Sequence, residues 1–237
     1  MGDGVLPRVQ RKTLAQQAAE LIVAHIDREH LPAGALLPSE GQLAGHFGVS
    51  RPIVREALRL LEANGVVTVV NGRGAMVKPL SGDVLAAFFQ RAARNRREAV
   101  REVLEVRRGI EVECAALAAQ RRTPEQLARL EEIVGQMRAC LDDHEALAEL
   151  DIAFHWQIAQ ASGNTLFVHL VESLRVVVED SIRKRPNSCA AVTAALYREV
   201  QGDHERIVAA IAASDGTAAS EAMAQHIDLG VKLLVDE

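Results

Sequence analysis

The sequence predicts a mainly α-helical chain in two parts: three helices closed by a short β-hairpin, then an all-helical bundle of about seven helices. Three observations point there. Apolar residues recur at three-and-four spacing along most of the 237 residues. One run of β-formers, Val66 to Val70, meets a turn signal at Asn71-Gly72-Arg73-Gly74 and returns over Ala75 to Val77. From residue 83 onward the only period is helical, punctuated by helix start signals.

In chain order, Leu14, Ala18, Leu21, Ile22 and Ile26 form the apolar face of a helix over residues 13–29, which ends before Pro32 and Gly34. Ser39 caps a short helix over 40–46; Gly48 breaks the chain, and Ser50 caps a third helix reaching about Ala63. Two helices joined by a tight glycine turn and followed by a hairpin describe a winged helix-turn-helix, placed in residues 1–80. The second part, residues 81–237, divides into helices at about 83–94, 98–121, 124–141, 145–161, 165–184, 190–213 and 217–234. Thr123-Pro124-Glu125-Gln126 is a capping box with proline in the first turn. Arg183 to Ser188 reads as a loop.

With 49% hydrophobic and 25% charged residues the composition is that of a globular protein. No apolar run approaches the roughly 18 residues of a membrane span, and the opening MGDGVLPRVQRK lacks a signal peptide's apolar stretch, so the expected location is cytoplasmic, away from the membrane. Cys114, Cys140 and Cys189 are odd in number and far apart, which suits reduced thiols. The net charge of −5 is unevenly spread: residues 1–80 carry 9 Lys+Arg against 7 Asp+Glu, and the remainder 18 against 25. Only the first part suits a polyanion.

Val54, Ala57, Leu58 and Leu61 give the third helix one apolar face, while Arg51, Arg55 and Arg59 stand four apart on a neighbouring one. Like charges so placed disfavour one another, and a polyanion relieves them. Near a helix start, Arg51 and Arg55 are placed to grip guanine or phosphate. A solvated cationic face would show the same arginines; the turn before and the hairpin after favour the groove-reading alternative. Gly72 at the hairpin tip permits close backbone approach to a minor groove, although a plain turn glycine looks the same.

Residues 36–77, with LPSE, FGVSR, VREAL, LE..G and the glycine-containing wing in order, resemble the GntR family of bacterial regulators. The resemblance implies contacts to double-stranded DNA from Ser50, Arg51, Arg55 and the wing at Gly72. One position departs: after LPSE the family usually has a DNA-touching arginine, where this chain has Gly41. That contact is lost or moved.

In the second part, Asp151 and His155 lie four apart, within or beside the apolar stripe Leu147, Leu150, Phe154 and Ile158, so both address one point. His204 interrupts the stripe of Val200, Ile207 and Ile211, and His226 that of Ala219, Met223, Gly230 and Leu233. Converging helices would bring one carboxylate and three imidazoles to a divalent transition metal; separate ones would leave three hydrogen-bonded core histidines. The pieces EVRRGIE, DIAFH, SGNTL, DHERI and MAQHI resemble the FCD ligand-binding domain of the FadR subfamily. That resemblance implies metal ligation by Asp151, His155, His204 and His226, with zinc as the first expectation and nickel or manganese as alternatives. It also implies a small organic acid as effector.

A carboxylate effector suits an open metal position and a nearby cation, for which Arg107 is the candidate; a surface salt bridge from Arg107 to Glu111 would look the same in sequence. Asn164 reads as a helix start. The expected function is a homodimeric repressor on a palindromic operator, controlled by a small carboxylate at a metal-containing pocket. Two alternatives stand beside it: a regulator for which the metal is itself the signal, and a metal-dependent hydrolase.

Overall fold

The computed structural model describes residues 12–70, 74–94, 97–140, 143–183 and 190–235. The chain divides into two compact units, Met1–Val84 and Leu85–Glu237.

In the first unit, α1 (Leu14–Arg28), α2 (Glu40–Phe47) and α3 (Arg51–Ala63) precede the strands β1 (Val67–Val70) and β2 (Gly74–Val77). Capping boxes start α1 at Thr13 and Gln16 and α2 at Ser39 and Gln42, and left-handed Gly48 ends α2. The strands pair antiparallel, Val67 opposite Val77 and Val70 opposite Gly74. Gly72, the expected tip, lies outside the described residues. A third segment, unmarked by any period, joins the hairpin: Ala35 to Leu37 runs along β2, with Leu37 N–H donating to Ala75 O at 2.9 Å and Val77 N–H to Ala35 O at 2.9 Å. The Val69 N–H donates to Glu62 Oε1 at 2.8 Å, tying β1 to α3.

The core of this unit joins Ala18 and Ile22 of α1, Leu43 of α2, Val54, Ala57, Leu58 and Leu61 of α3, and Val67 and Ala75 of the hairpin. One expectation fails on α1. Leu14 and Leu21 are exposed, while Ala15 and Ala19 are buried, because a close approach to α3 selects small side chains and turns the two leucines outward.

The remaining helices are α4 (Asp83–Ala93), α5 (Arg97–Arg121), α6 (Pro124–Ala139), α7 (His144–Ala161), α8 (Thr165–Arg183), α9 (Ala190–Ala212) and α10 (Gly216–Val235). Thr123 and Gln126 form the expected capping box on α6, and Asn164 starts α8, its Oδ1 accepting from the Leu166 N–H at 3.0 Å. The second unit's core is a continuous cluster of Leu130, Ile133 and Met137 from α6, Phe154 and Ile158 from α7, Ile207 and Ile211 from α9, and Met223 from α10. Small residues line α5 where other helices cross it, among them Cys114, Ala115, Ala118 and Ala119, all fully buried. Cys114 and Cys140 are free thiols, and Cys189 lies outside the described residues. No helix among the described residues is long and apolar enough to cross a membrane.

α10 begins against α5 with no room to spare: a Cβ at Gly216 would stand 3.2 Å from the Ala116 carbonyl oxygen. Gly216→Val is therefore expected to destabilise this unit by about 1–3 kcal/mol through overpacking. Urea unfolding followed by tryptophan emission checks this, since the only tryptophan, Trp156, belongs to the same unit.

Candidate functional site

Two sets of residues stand out, one in each unit. On α3, burial of Val54, Ala57, Leu58 and Leu61 turns the opposite face outward, and Arg51, Arg55 and Arg59 are all exposed. Ser50 occupies the N-cap position, but its hydroxyl makes no capping hydrogen bond, contrary to the expectation that it would cap the helix. Pro52 in the first turn removes one of the N–H groups such a cap would serve. The first turn of α2 supports two of the arginines. Arg55 Nε donates to Glu40 Oε2 at 2.7 Å. The Arg51 guanidinium lies over Gly41, where a Cβ would meet its Nη2 at 3.2 Å. Among the described residues Arg51 and Arg59 have no ion-pair partner.

In the second unit, α7, α9 and α10 bring Asp151, His155, His204 and His226 together, with one ligand atom from each lying within 4.8 Å of the others. All three histidines are buried, and Asp151 is half-buried. His155 Nε2 lies 3.1 Å from His226 Nε2, and His204 Nε2 lies 3.2 Å from Asp151 Oδ1 at an angle that makes no hydrogen bond. Such spacings are those of neighbouring ligands about 2.0–2.1 Å from one zinc-sized ion. Neither ring nitrogen of His204 has a hydrogen-bond partner, nor has His226 Nδ1. Stranded imidazole nitrogens at this depth are costly unless something binds their lone pairs. The residues thus fit a divalent metal. Phe154 stands edge-on to His204, ring centroids 4.6 Å apart, and closes the core side.

Two buried carboxylates flank the cluster: Asp203, which the sequence reading did not name, and Glu111, which it weighed only as a surface partner of Arg107. Glu111 of α5 contacts His155 Nδ1 and receives Arg107 Nε at 2.5 Å. Asp203 of α9 pairs with Arg206 and stands 3.9 Å from His226 Nδ1. A carboxylate on the far nitrogen fixes which nitrogen of the ring presents its lone pair, the usual support for a metal-binding histidine. Glu111 was legible in principle, because it stands seven residues from both Leu104 and Ala118 on the buried face of α5. Asp203 directly precedes His204 on an otherwise apolar stripe.

These groups set one another's charge. Burial alone would raise the Asp151 carboxyl, but His155 and then His204 outweigh it and hold the group well below the usual carboxylate range. Burial likewise opposes ionisation of Glu111, yet Arg107 and His155 beside it lower its pKa. His155 is raised: burial and Arg107 disfavour its cation, and Glu111 and Asp151 prevail. Burial, then His204 and His155, push His226 well below the ordinary imidazole range, so it is neutral with a lone pair available.

Beside the cluster, α5, α7 and α8 line a half-open cavity of about 320 Å³. Arg107, Glu111, Asp151 and His155 form its polar wall. Arg107 does pair with Glu111, but inside the protein; the pair is 11% and 2% exposed, so the surface-bridge alternative is set aside.

Residues 14–77 match the family model of bacterial regulatory proteins, gntR family, and residues 102–229 match the FCD domain. The chain is 33% identical over 202 residues to the HTH-type transcriptional regulator LutR of Bacillus subtilis, covering 85% of this chain and 92% of that one. It is 29% identical over 221 residues to the HTH-type transcriptional repressor NanR of Cronobacter sakazakii, covering 92% and 84%. Among solved structures it is similar to a Streptococcus agalactiae GntR protein, with a TM-score of 0.72 and 26% identity over 91% of this chain and 98% of that one.

Removing one member of the buried Arg107–Glu111 pair leaves the other uncompensated. Glu111→Ala is expected to destabilise the second unit by about 3–5 kcal/mol, read from the shift in its denaturant midpoint at unchanged slope.

Proposed function

Because the chain belongs to the GntR family of bacterial regulators and carries an FCD domain, we propose that it is a homodimeric repressor whose hold on a palindromic operator is set by a small carboxylate bound at a metal centre. It is a transcriptional regulator with a domain for a small-molecule effector, not an enzyme. The relative NanR is named a repressor, which supports the sign proposed here.

The observation that carries the DNA side is the outward arginine face of α3. Arg55 reads a base edge or neutralises phosphate after exchanging its Glu40 partner for DNA, and Arg51 reaches the adjacent backbone. The free Ser50 hydroxyl at the start of α3 suits a phosphate oxygen, and the wing around Gly72 follows a neighbouring groove. The first 80 residues serve as the DNA-binding domain, and residues 81–237 as the effector and dimerisation domain. Two copies related by a twofold axis match a palindromic site. Acting on chromosomal DNA places the protein in the cytoplasm.

On the effector side, Asp151, His155, His204 and His226 hold the metal; zinc suits three imidazoles and one carboxylate best, with nickel or manganese as alternatives. When bound, the ion supplies a positive point for a carboxylate oxygen. Glu111 keeps the ring of His155 turned toward that point, and Arg107, held by Glu111, offers a second cationic contact to the effector. A cavity opening directly on Asp151 and His155 favours an organic effector over the metal as sole signal.

On a duplex from the upstream region of its own gene, binding is expected to weaken steeply with salt, and Arg55→Ala to cost about 1–3 kcal/mol if the arginine reads a base. Fluorescence anisotropy across a salt series measures both; an affinity indifferent to salt and to the substitution would count against the reading. Chelator-stripped protein is expected to take up one zinc per chain, and the double variant His204→Ala, His226→Ala substantially less than one, as measured by elemental analysis after dialysis.

A further inference from the structure

The cavity has two faces. Its apolar lining is Ile152, Ala153 and Trp156 of α7 and Val171, Leu174 and Val178 of α8. None of those six side chains offers a hydrogen bond except the indole N–H of Trp156. This tryptophan is the only one in the chain, follows His155 directly, and is 41% exposed where it lines the half-open cavity. Its N–H has no partner among the described residues. An exposed indole on a cavity wall leaves apolar area that an occupant would cover.

Resting on the reading that a carboxylate occupies the metal-side wall, we infer that the effector is a carboxylic acid with an apolar body, branched aliphatic or aromatic, and that Trp156 is the residue that selects it. Ile152, Val171, Leu174 and Val178 carry no hydrogen-bonding side-chain group, so a hydroxyl of a polyhydroxylated acid set against them goes unpaired. An apolar body gains there, about fourfold in affinity for each buried methylene. The volume agrees: about 320 Å³ is far more than a carboxylate with a single methyl group fills. Glu149, Glu172 and Arg175 also line the cavity, and all three are exposed.

The test uses the full-length protein loaded with one equivalent of zinc and four probe acids: acetate, gluconate, isovalerate and phenylacetate. Calorimetry gives the affinities, and the emission of the single tryptophan reports the wall itself. Isovalerate and phenylacetate should bind at least tenfold more tightly than gluconate and shift the Trp156 emission. Trp156→Ala should weaken phenylacetate about tenfold while leaving acetate within twofold, and Trp156→Phe should restore most of the loss. Equal affinities for gluconate and phenylacetate, or a Trp156→Ala variant that weakens acetate and phenylacetate alike, would overturn the inference while leaving the carboxylate reading standing. Failure of all four acids to bind at millimolar concentration would overturn both.

Discussion

Three imidazoles and three carboxylates, one of them half-buried, are packed into the second unit, and much of its architecture answers to that single demand. A polar group taken out of water must find a partner, and a charge must find an opposite one. Arg107 answers Glu111, Glu111 answers His155, Asp151 answers His155 and His204, and Asp203 stands behind His226. What this chain of partners leaves over is a set of nitrogen lone pairs around one point. The packing around it follows from the same need: α10 lies against the small residues of α5 at Gly216, and that crossing helps bring His226 to the ligands from α7 and α9.

The first unit solves an opposite problem, keeping positive charge outside. Four buried side chains fix the rotation of α3, and everything on its far side faces water. The strand-like segment at Ala35 to Leu37 and the Glu62 link to Val69 fasten the hairpin to the helices. Glu40 and Gly41, adjacent at the start of α2, hold two of the arginines in the unliganded protein.

Much of this could be read from residue order. Periodicity together with start and stop signals marked the ten helices now described, and the N-cap at Ser39 and the capping box at Thr123 followed from local hydrogen-bond chemistry. The four candidate ligands were visible as polar residues interrupting apolar stripes. Less local facts escaped. Leu14 and Leu21 looked buried because hydrophobicity alone does not say how closely two helices approach. The segment at Ala35 pairs with a strand some 40 residues later, and no period marks a bond of that kind. Glu111 was weighed only as a surface partner of Arg107 because a lone acid on a charged helix resembles surface until its neighbours on the buried face are counted. Ser50 had the right residue type for a cap without making the bond, since side-chain rotation is not written in residue identity.

The bare Cα of Gly41 beneath the Arg51 guanidinium makes positions 41 and 51 a single steric unit, ten residues apart in sequence. A long cationic side chain introduced at 41 would compete with Arg51 for the same space and repel it, so the two would have to splay toward different parts of a duplex. Redirecting this regulator to a new operator through position 41 would thus also move the Arg51 guanidinium.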